Sequence, residues 1–508
     1  MIRLAMSRVL EVYKPHVLES LLAETILCKR YRLTRIIHES CKDVTVSRPR
    51  ESNVDNFISH KVNTLSRRTR HHSGMQAKPR RLTKRTTAII AVAIVAIVIA
   101  SGGGTYYYVN YVAQRPITCT LPSGRDAIKV GFTISLTGTF NVEGAKSLAG
   151  IQAAACWINN NGGVTVNGKT YNIVLNYYDD QSSSAQISTL YTKIITQDNA
   201  QFLLAPYSSG LTGAAAPLAE QYNLVMLSHG GSSDSIWTKG YKNVFGILSP
   251  ASTYFNNAVD WLKANHPGDK LAFLHADDSF STAASGAASK YAVQQGLSVV
   301  YNASYPVTSQ DLSTQLTAAQ GAGADDLLGG GHYADGVKIV QQLSSVGWKP
   351  KFISLLVAVT EPQFRQQLGG SANLVTGPSQ WETTVTYSPA TAQTSSIPWY
   401  GPTESQFVDY YSKQANAGSP TYHSGEAGAA IIVLADAIQK ANSLDSTAVR
   451  QTISSLHIMT FFGQFQVDST GKQSGHSMVL VQWQNGGLVV VAPAIVASGT
   501  VKYPYTGS

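Results

Sequence analysis

The chain has 508 residues, room for two or three domains, with 44% hydrophobic and 14% charged residues. Its net charge of +9 is unevenly placed: residues 1–85 hold 19 Lys and Arg against 7 Asp and Glu, a net of +12, which leaves 20 basic against 23 acidic residues beyond them. The basicity belongs to an N-terminal tail, and a nucleic-acid-binding globular body is excluded.

Residues 1–74 show modest helical patterning but too many charges for a core. Met75 opens "MQAKPRRLTKRTT", an ordinary start for an exported protein. Residues 1–85 are therefore read as a basic unstructured cytoplasmic tail or a mis-assigned start. A tail that touches membrane lipid or nucleic acid is the alternative. Residues 86–114 carry no charge and come directly after the basic "KPRRLTKR". Residues 86–109 are expected to form one transmembrane helix, with the tail in the cytoplasm and the rest outside. A cleaved signal peptide is the rival reading. Either one exports the chain beyond the linker 110–126. Cys28 and Cys41 fall on the reducing side, while Cys119 and Cys156 fall where disulfides persist. Cys119 precedes the first strand and Cys156 lies on the first helix, so the two are a candidate disulfide, with two free thiols as the alternative. No Cys/His spacing suggests a metal, and no cofactor is expected.

From Ala127 onward strands and helices alternate. "AIKVGFTIS", "TYNIVLNYYDD", "AQFLLAPY" and "LVMLSH" read as strands, separated by the helical "GAKSLAGIQAAACWINNN", "SAQISTLYTKIITQDN" and "LTGAAAPLAEQYN". The rhythm restarts after "VFGILSPAS" with "KLAFLHAD", "LSVVYNASYP" and "DDLLGGG" as strands among further helices. A long helix, "GEAGAAIIVLADAIQKAN", and the strand-like "SMVLVQWQNGGLVVVAP" come last. This pattern predicts an α/β protein with two doubly wound parallel-sheet lobes around a cleft, which the resemblance described below makes a hinged one. Lobe 1 is placed at 127–248 with 378–460, lobe 2 at 249–377 with 461–495, and a tail at 496–508.

Covalent chemistry finds little support. "HGGSS" at 229–233 resembles an esterase oxyanion loop, but no G-x-S-x-G elbow exists, since Ser209 sits in "PYSSG". No phosphate-loop GxxxxGK[ST] is present either. The acidic pairs in "YYDDQ" and "HADDSF" read as solvated or capping residues. The segment "LLAPYSSGLTG" instead ends a strand and opens a helix, so free N–H groups and serine hydroxyls face the space above the sheet. "LSHGGSS" ends the next strand beside it. Together they suit a carboxylate socket, with a helix cap and turn as the plainer reading.

Residues 127 to about 505 resemble the type 1 periplasmic binding proteins of branched-chain amino acid ABC transporters. The resemblance rests on an ordered series that includes "IKVGFTISLTGTFNVEGAKSLAGIQAAACWINNNGG", "YYDDQSSSAQ", "YSSG", "LVMLSHGGSS", "GHYADGVKIVQQLSSVGWKP", "NLVTGPSQW" and "MTFFGQFQVDSTGKQ". It implies two lobes joined by three crossovers that close on a ligand. Position by position, it puts the carboxylate-binding serine on Ser209 and its companion contacts on Gly230 and Ser232, with Ser208, Ser228 and His229 along the same edge. It puts the second-lobe aromatic wall on Phe280 and on His332 with Tyr333 adjacent, and Glu143 near the mouth.

One departure stands out. The family's amino-acid binders carry a second-lobe acid that pairs with the ligand ammonium, and by spacing from His332 that position is Leu356 here. Glu143, Asp335 or Glu361 would have to supply the charge, or the ligand lacks an α-ammonium. The expected function is therefore a non-enzymatic, extracytoplasmic and membrane-tethered solute receptor. As a monomer it would deliver an amino acid or related small carboxylate to an ABC permease. A sensor subunit that signals through a partner protein is the alternative. So is a receptor for amides, urea-like compounds or aromatic acids.

Overall fold

The computed structural model describes residues 119, 121–414 and 417–507. The basic tail and the apolar run 86–109 lie outside those residues. Among the described residues no helix is long and apolar enough to cross a membrane.

The strands of the first sheet are β1 (Asp126–Ile134), β2 (Val164–Val166), β3 (Lys169–Asp179), β4 (Phe202–Leu204), β5 (Met226–Ser228) and β6 (Val244–Gly246). They lie in the order β2-β3-β1-β4-β5-β6. All neighbours pair in parallel except the β2–β3 hairpin at the edge. Alternation along β1 sends Ile128, Val130, Phe132 and Ile134 to one face, where they meet α1 (Asn141–Asn160) and the last long helix, Tyr422–Ala441. The opposite face is covered by α2 (Ser184–Thr196) and α3 (Ser209–Gln221). Each helix buries an apolar stripe, and each strand fills both faces because helices cover both. Cys119 is disulfide-bonded to Cys156 on α1, with 5.5 Å between their Cα atoms.

The second sheet contains β7 (Lys270–Ala276), β8 (Ser298–Tyr305), β9 (Asp326–Gly330), β10 (Phe352–Leu355) and β11 (Thr376–Ser379), then β14 (Val479–Gln484) and β15 (Gly487–Ala492). Its order is β15-β14-β11-β10-β9-β7-β8. Leu271 and Phe273 pack with α4 (Asn256–Asn265) and α5 (Ser279–Gln294). Ala272 and Leu274 face α6 (Ser313–Gly321) and α7 (Tyr333–Ser345). The parallel core is as the sequence predicts, but this sheet ends in two antiparallel pairings, β11–β14 and β14–β15. The run "SMVLVQWQNGGLVVVAP" is a hairpin: Asn485 and Gly486 both take positive φ, 51° and 85°, which suits a two-residue turn.

The boundary expected at residue 460 falls later. Phe461, Phe462, Phe465 and Val467 pack in the first lobe's core, with β12 (Ile458–Thr460) and β13 (Gly463–Phe465) forming a small ribbon there. The three crossovers meet at one cluster. Ser249 N donates to Gln380 Oε1 at 3.1 Å, Ser249 Oγ donates to the His476 carbonyl at 3.0 Å, and His476 Nε2 lies 2.7 Å from the Gln380 carbonyl.

Candidate ligand-binding site

The strands of both sheets end at one narrow cleft. Tyr207, Gly230 with Ser232, and Leu248 come after β4, β5 and β6. Phe280, His332 and Val357 come after β7, β9 and β10. Tyr254 joins them, and the last long helix, α8 (Tyr422–Ala441), contributes Tyr422, His423 and Glu426 from its first turns. Parallel strands leave their carboxyl ends and the N-termini of the helices after them on one side, so this placement is a property of the topology.

Local sequence fixes each wall. Asp278 caps α5, accepting from Phe280 N at 2.9 Å and Ser281 N at 3.1 Å, which sets Phe280 at the mouth. Asp335 Oδ2 accepts from His332 N at 3.1 Å and holds the start of α7. Gly230 packs flat on Tyr207: a Cβ there would lie 2.7 Å from Tyr207 Cα. The acidic pair at the end of β3 is structural, since Asp180 accepts from Ser135 Oγ at 2.6 Å and Thr133 Oγ1 at 2.9 Å.

Of the residues expected at the ligand, Gly230, Ser232, Phe280 and His332 line the cleft. Ser209 stands behind it. Its Oγ accepts from Ser232 N and Ser233 N, both at 3.1 Å, and so ties the two strand ends together. Ser208 is buried just before α3, and Ser228 Oγ donates to the Gly231 carbonyl at 3.0 Å. His229 is fully buried with neither ring nitrogen bonded, and burial pushes it down to about 3, so the ring is neutral. Leu356 is core, and it is Val357 that reaches the cleft.

Glu143 and Tyr333 meet across the lobes: Tyr333 N donates to Glu143 Oε1 at 2.9 Å, while Tyr333 Oη donates to Gln367 Oε1 at 2.9 Å. Further contacts join the lobes. Tyr207 Oη lies 2.7 Å from His332 Nδ1, and Ser233 Oγ donates to the Ser279 carbonyl at 3.2 Å. Burial opposes a charge on His332. Even so, Asp278, 3.6 Å from Nε2, with Glu143 and Asp335, holds the ring above its ordinary pKa. Burial also acts against the Asp278 carboxylate, but His332 with Ser281 outweighs it and lowers Asp278 to about 2.

Sequence reasoning missed Tyr207, Leu248, Tyr254, Val357, Tyr422, His423 and Glu426. Tyr207 and Val357 flank positions it had named. The three residues of α8 precede or interrupt an apolar helix, and only their polar and aromatic character in its opening turns, "YHSGE", marks them. Glu426 is held well above its ordinary pKa by burial and by Glu361, and His423, 3.2 Å from it, is held well below by burial and by neighbouring positive groups. Among the described residues no cluster of His, Cys, Asp or Glu is suited to a metal ion.

A small cleft closed by side chains from two facing α/β lobes defines a bilobed solute-binding protein. The chain belongs to the periplasmic binding protein family, whose profile matches residues 127–487. It is 25% identical over 395 residues to Leu/Ile/Val-binding protein homolog 7 of Brucella suis, covering 75% of this chain and 95% of that one. It is 23% identical over 391 residues to homolog 8 of Brucella abortus, covering 74% and 93%.

Solved structures share the fold. The leucine binding protein of Thermotoga maritima gives a TM-score of 0.61 at 19% identity, covering 72% of this chain and 98% of that one. A Streptococcus pneumoniae branched-chain amino acid transporter substrate binding protein, in complex with isoleucine, gives 0.60 at 22%, covering 72% and 100%. A solute binding protein of R. palustris, in complex with 4-hydroxybenzoate, gives 0.60 at 20%, covering 72% and 95%. Family membership implies an extracytoplasmic location.

Proposed function

We propose that the chain is the receptor of an ABC importer, tethered by its N-terminal apolar segment, which closes two lobes on a small amino acid or related carboxylate and presents it to a permease. The observation that carries this reading is the edge made by Gly230 and Ser232, facing Phe280 and His332 across the cleft. A bare glycine and a hydroxyl at adjacent strand and helix ends offer N–H and O–H donors to a carboxylate. Facing rings give its apolar part a dry wall. The named relatives and the isoleucine complex support the amino-acid reading, and no covalent step is needed for it.

A second reading, an aromatic acid, draws on the four aromatic rings of the cleft, Tyr207, Tyr254, Phe280 and Tyr422, and on the 4-hydroxybenzoate complex. Thermal-shift measurements on the full-length chain test both, against amino acids, aromatic acids and amides. A ligand at 100 times its Kd adds about 2.7 kcal/mol to the folded state. Stabilisation by carboxylates and not by their amides is the expected outcome. Turnover of ester substrates, abolished by Ser209→Ala, would sink the proposal.

A further inference from the structure

The cleft carries one carboxylate, Glu426, and it comes from the first lobe. Each acid that the sequence offered for an ammonium is engaged or placed elsewhere. Glu143 accepts the Tyr333 N–H, Asp335 caps α7, and Glu361 lies behind His423, 3.9 Å from its Nε2. Leu356, where a second-lobe acid was expected, is core. Glu426 differs from all of them in its place. Like Glu143 and Glu361 it is fully buried and keeps a carboxylate oxygen without a partner, here Oε2, while its Oε1 is 3.2 Å from His423 Nδ1; unlike them, it lines the cleft.

We infer that Glu426 is the specificity-determining residue of the cleft and selects a ligand that bears an ammonium group. The ligand is then an amino carboxylate, with its carboxylate at the Gly230–Ser232 edge and its ammonium at Glu426 Oε2. This rests on the carboxylate-receptor reading above and adds the second charge. A buried carboxylate oxygen without a partner is costly, and an ammonium satisfies it with charge-assisted hydrogen bonds. Tyr207, Tyr254, Phe280 and Tyr422 line the same cleft, and aromatic faces favour a cation over a neutral group. The acid has moved from one lobe to the other, so the open first lobe holds both ends of the ligand before the second lobe closes.

The groups around Glu426 are His423 on its own helix, Glu361 of the second lobe beyond that ring, and the hydroxyls of Tyr207, Tyr254 and Tyr422. None of them is a cation, and burial together with Glu361 holds the Glu426 carboxyl well above its ordinary pKa. An arriving ammonium stabilises the ionised form, so binding is linked to loss of a proton from this residue, which an uncharged ligand would not cause.

Calorimetric titration of the full-length chain tests the inference with pairs that differ only in the amine: leucine against 4-methylpentanoate, and phenylalanine against 3-phenylpropanoate, with 4-hydroxybenzoate alongside. Within the pair that binds, the amine-bearing member should bind about 100-fold more tightly, the range measured for truncating one partner of a buried charge pair. Its apparent enthalpy should vary with buffer ionisation heat, reporting proton release. Glu426→Gln should collapse the preference between the two members of the pair. Equal binding of both members, a preference for 4-hydroxybenzoate, or a preference unchanged in Glu426→Gln overturns the assignment of Glu426 and leaves the receptor reading standing. If no carboxylate binds at all, the receptor reading fails and this inference with it. If Glu426→Gln does not fold, the paired ligands on the native chain still decide.

Discussion

Ser209 shows how a residue can be correctly singled out and yet act one step away from the ligand. Its hydroxyl bridges the amides of Ser232 and Ser233, which builds the edge that a carboxylate would meet. Ser209→Ala leaves two buried N–H donors without an acceptor, and each such group costs about 1–3 kcal/mol. The variant should lose about 2–6 kcal/mol of unfolding free energy in a urea titration, the sum for the two donors, and ligand affinity should fall with it because Ser232 loses its support. A stability equal to that of the native chain would show that the bridge carries no weight. The sequence placed Ser209 beside the cleft because strand-end and helix-start residues are recognisable locally. Which way its oxygen points depends on the neighbouring strand, which no local pattern reports. Leu356 and Val357 make the same point: spacing came within one residue, and a one-residue step exchanges core for cleft.

At the scale of the element, legibility tracked period and punctuation. The parallel core strands were readable because they are short apolar runs between turns, and the long helices because their length exceeds any strand. The antiparallel hairpin reads in sequence as one strand-like segment although Asn485–Gly486 carries the turn signal, because the apolar residues on both sides outweigh it. Helix α8 is legible as a helix and illegible as a wall: its apolar body declares burial, whereas His423 in its first turn meets Tyr207 beyond β4 and Glu361 of the second lobe. The Cys119–Cys156 bond ties the chain leading into β1 to the C-terminal part of α1 and closes a loop, with 37 residues of sequence separation. Opening that loop in a Cys119→Ser, Cys156→Ser double variant should lower stability by roughly 3–4 kcal/mol, the chain-entropy value for a loop of this length. Denaturant unfolding with and without reductant measures it, and identical midpoints would contradict it.

For the whole molecule, buried titratable groups set a pH profile. Burial lowers His229 to about 3 and His476 to about 4, so below about 6.5 the unfolded chain takes up protons that the native state refuses, and stability falls with pH. Burial raises Glu361 and Asp326 to about 8 and Glu382 to about 7. Above about 4.5 the native state keeps protons that the unfolded chain gives up, so stability falls as pH rises towards 8. His332, held above its ordinary value, adds to the loss on the alkaline side. The two trends oppose each other between about 4.5 and 6.5, where melting temperature should be highest. A maximum at pH 8 or above would refute this balance.

The lobes also hold each other directly, through Tyr207 with His332, Glu143 with the Tyr333 amide, and Ser233 with Ser279. On the proposed function these contacts favour the shut state, and a ligand's apparent affinity would be its intrinsic affinity scaled by the fraction of molecules already shut. Glu143 does not line the cleft, yet Glu143→Ala should raise the apparent Kd while the preference among ligands stays the same, which a two-ligand titration would show. On the proposed function, recognition and sensitivity are therefore separable traits. The rim between the lobes could be retuned for scarce or abundant ligand while the chemistry that chooses the ligand stays fixed.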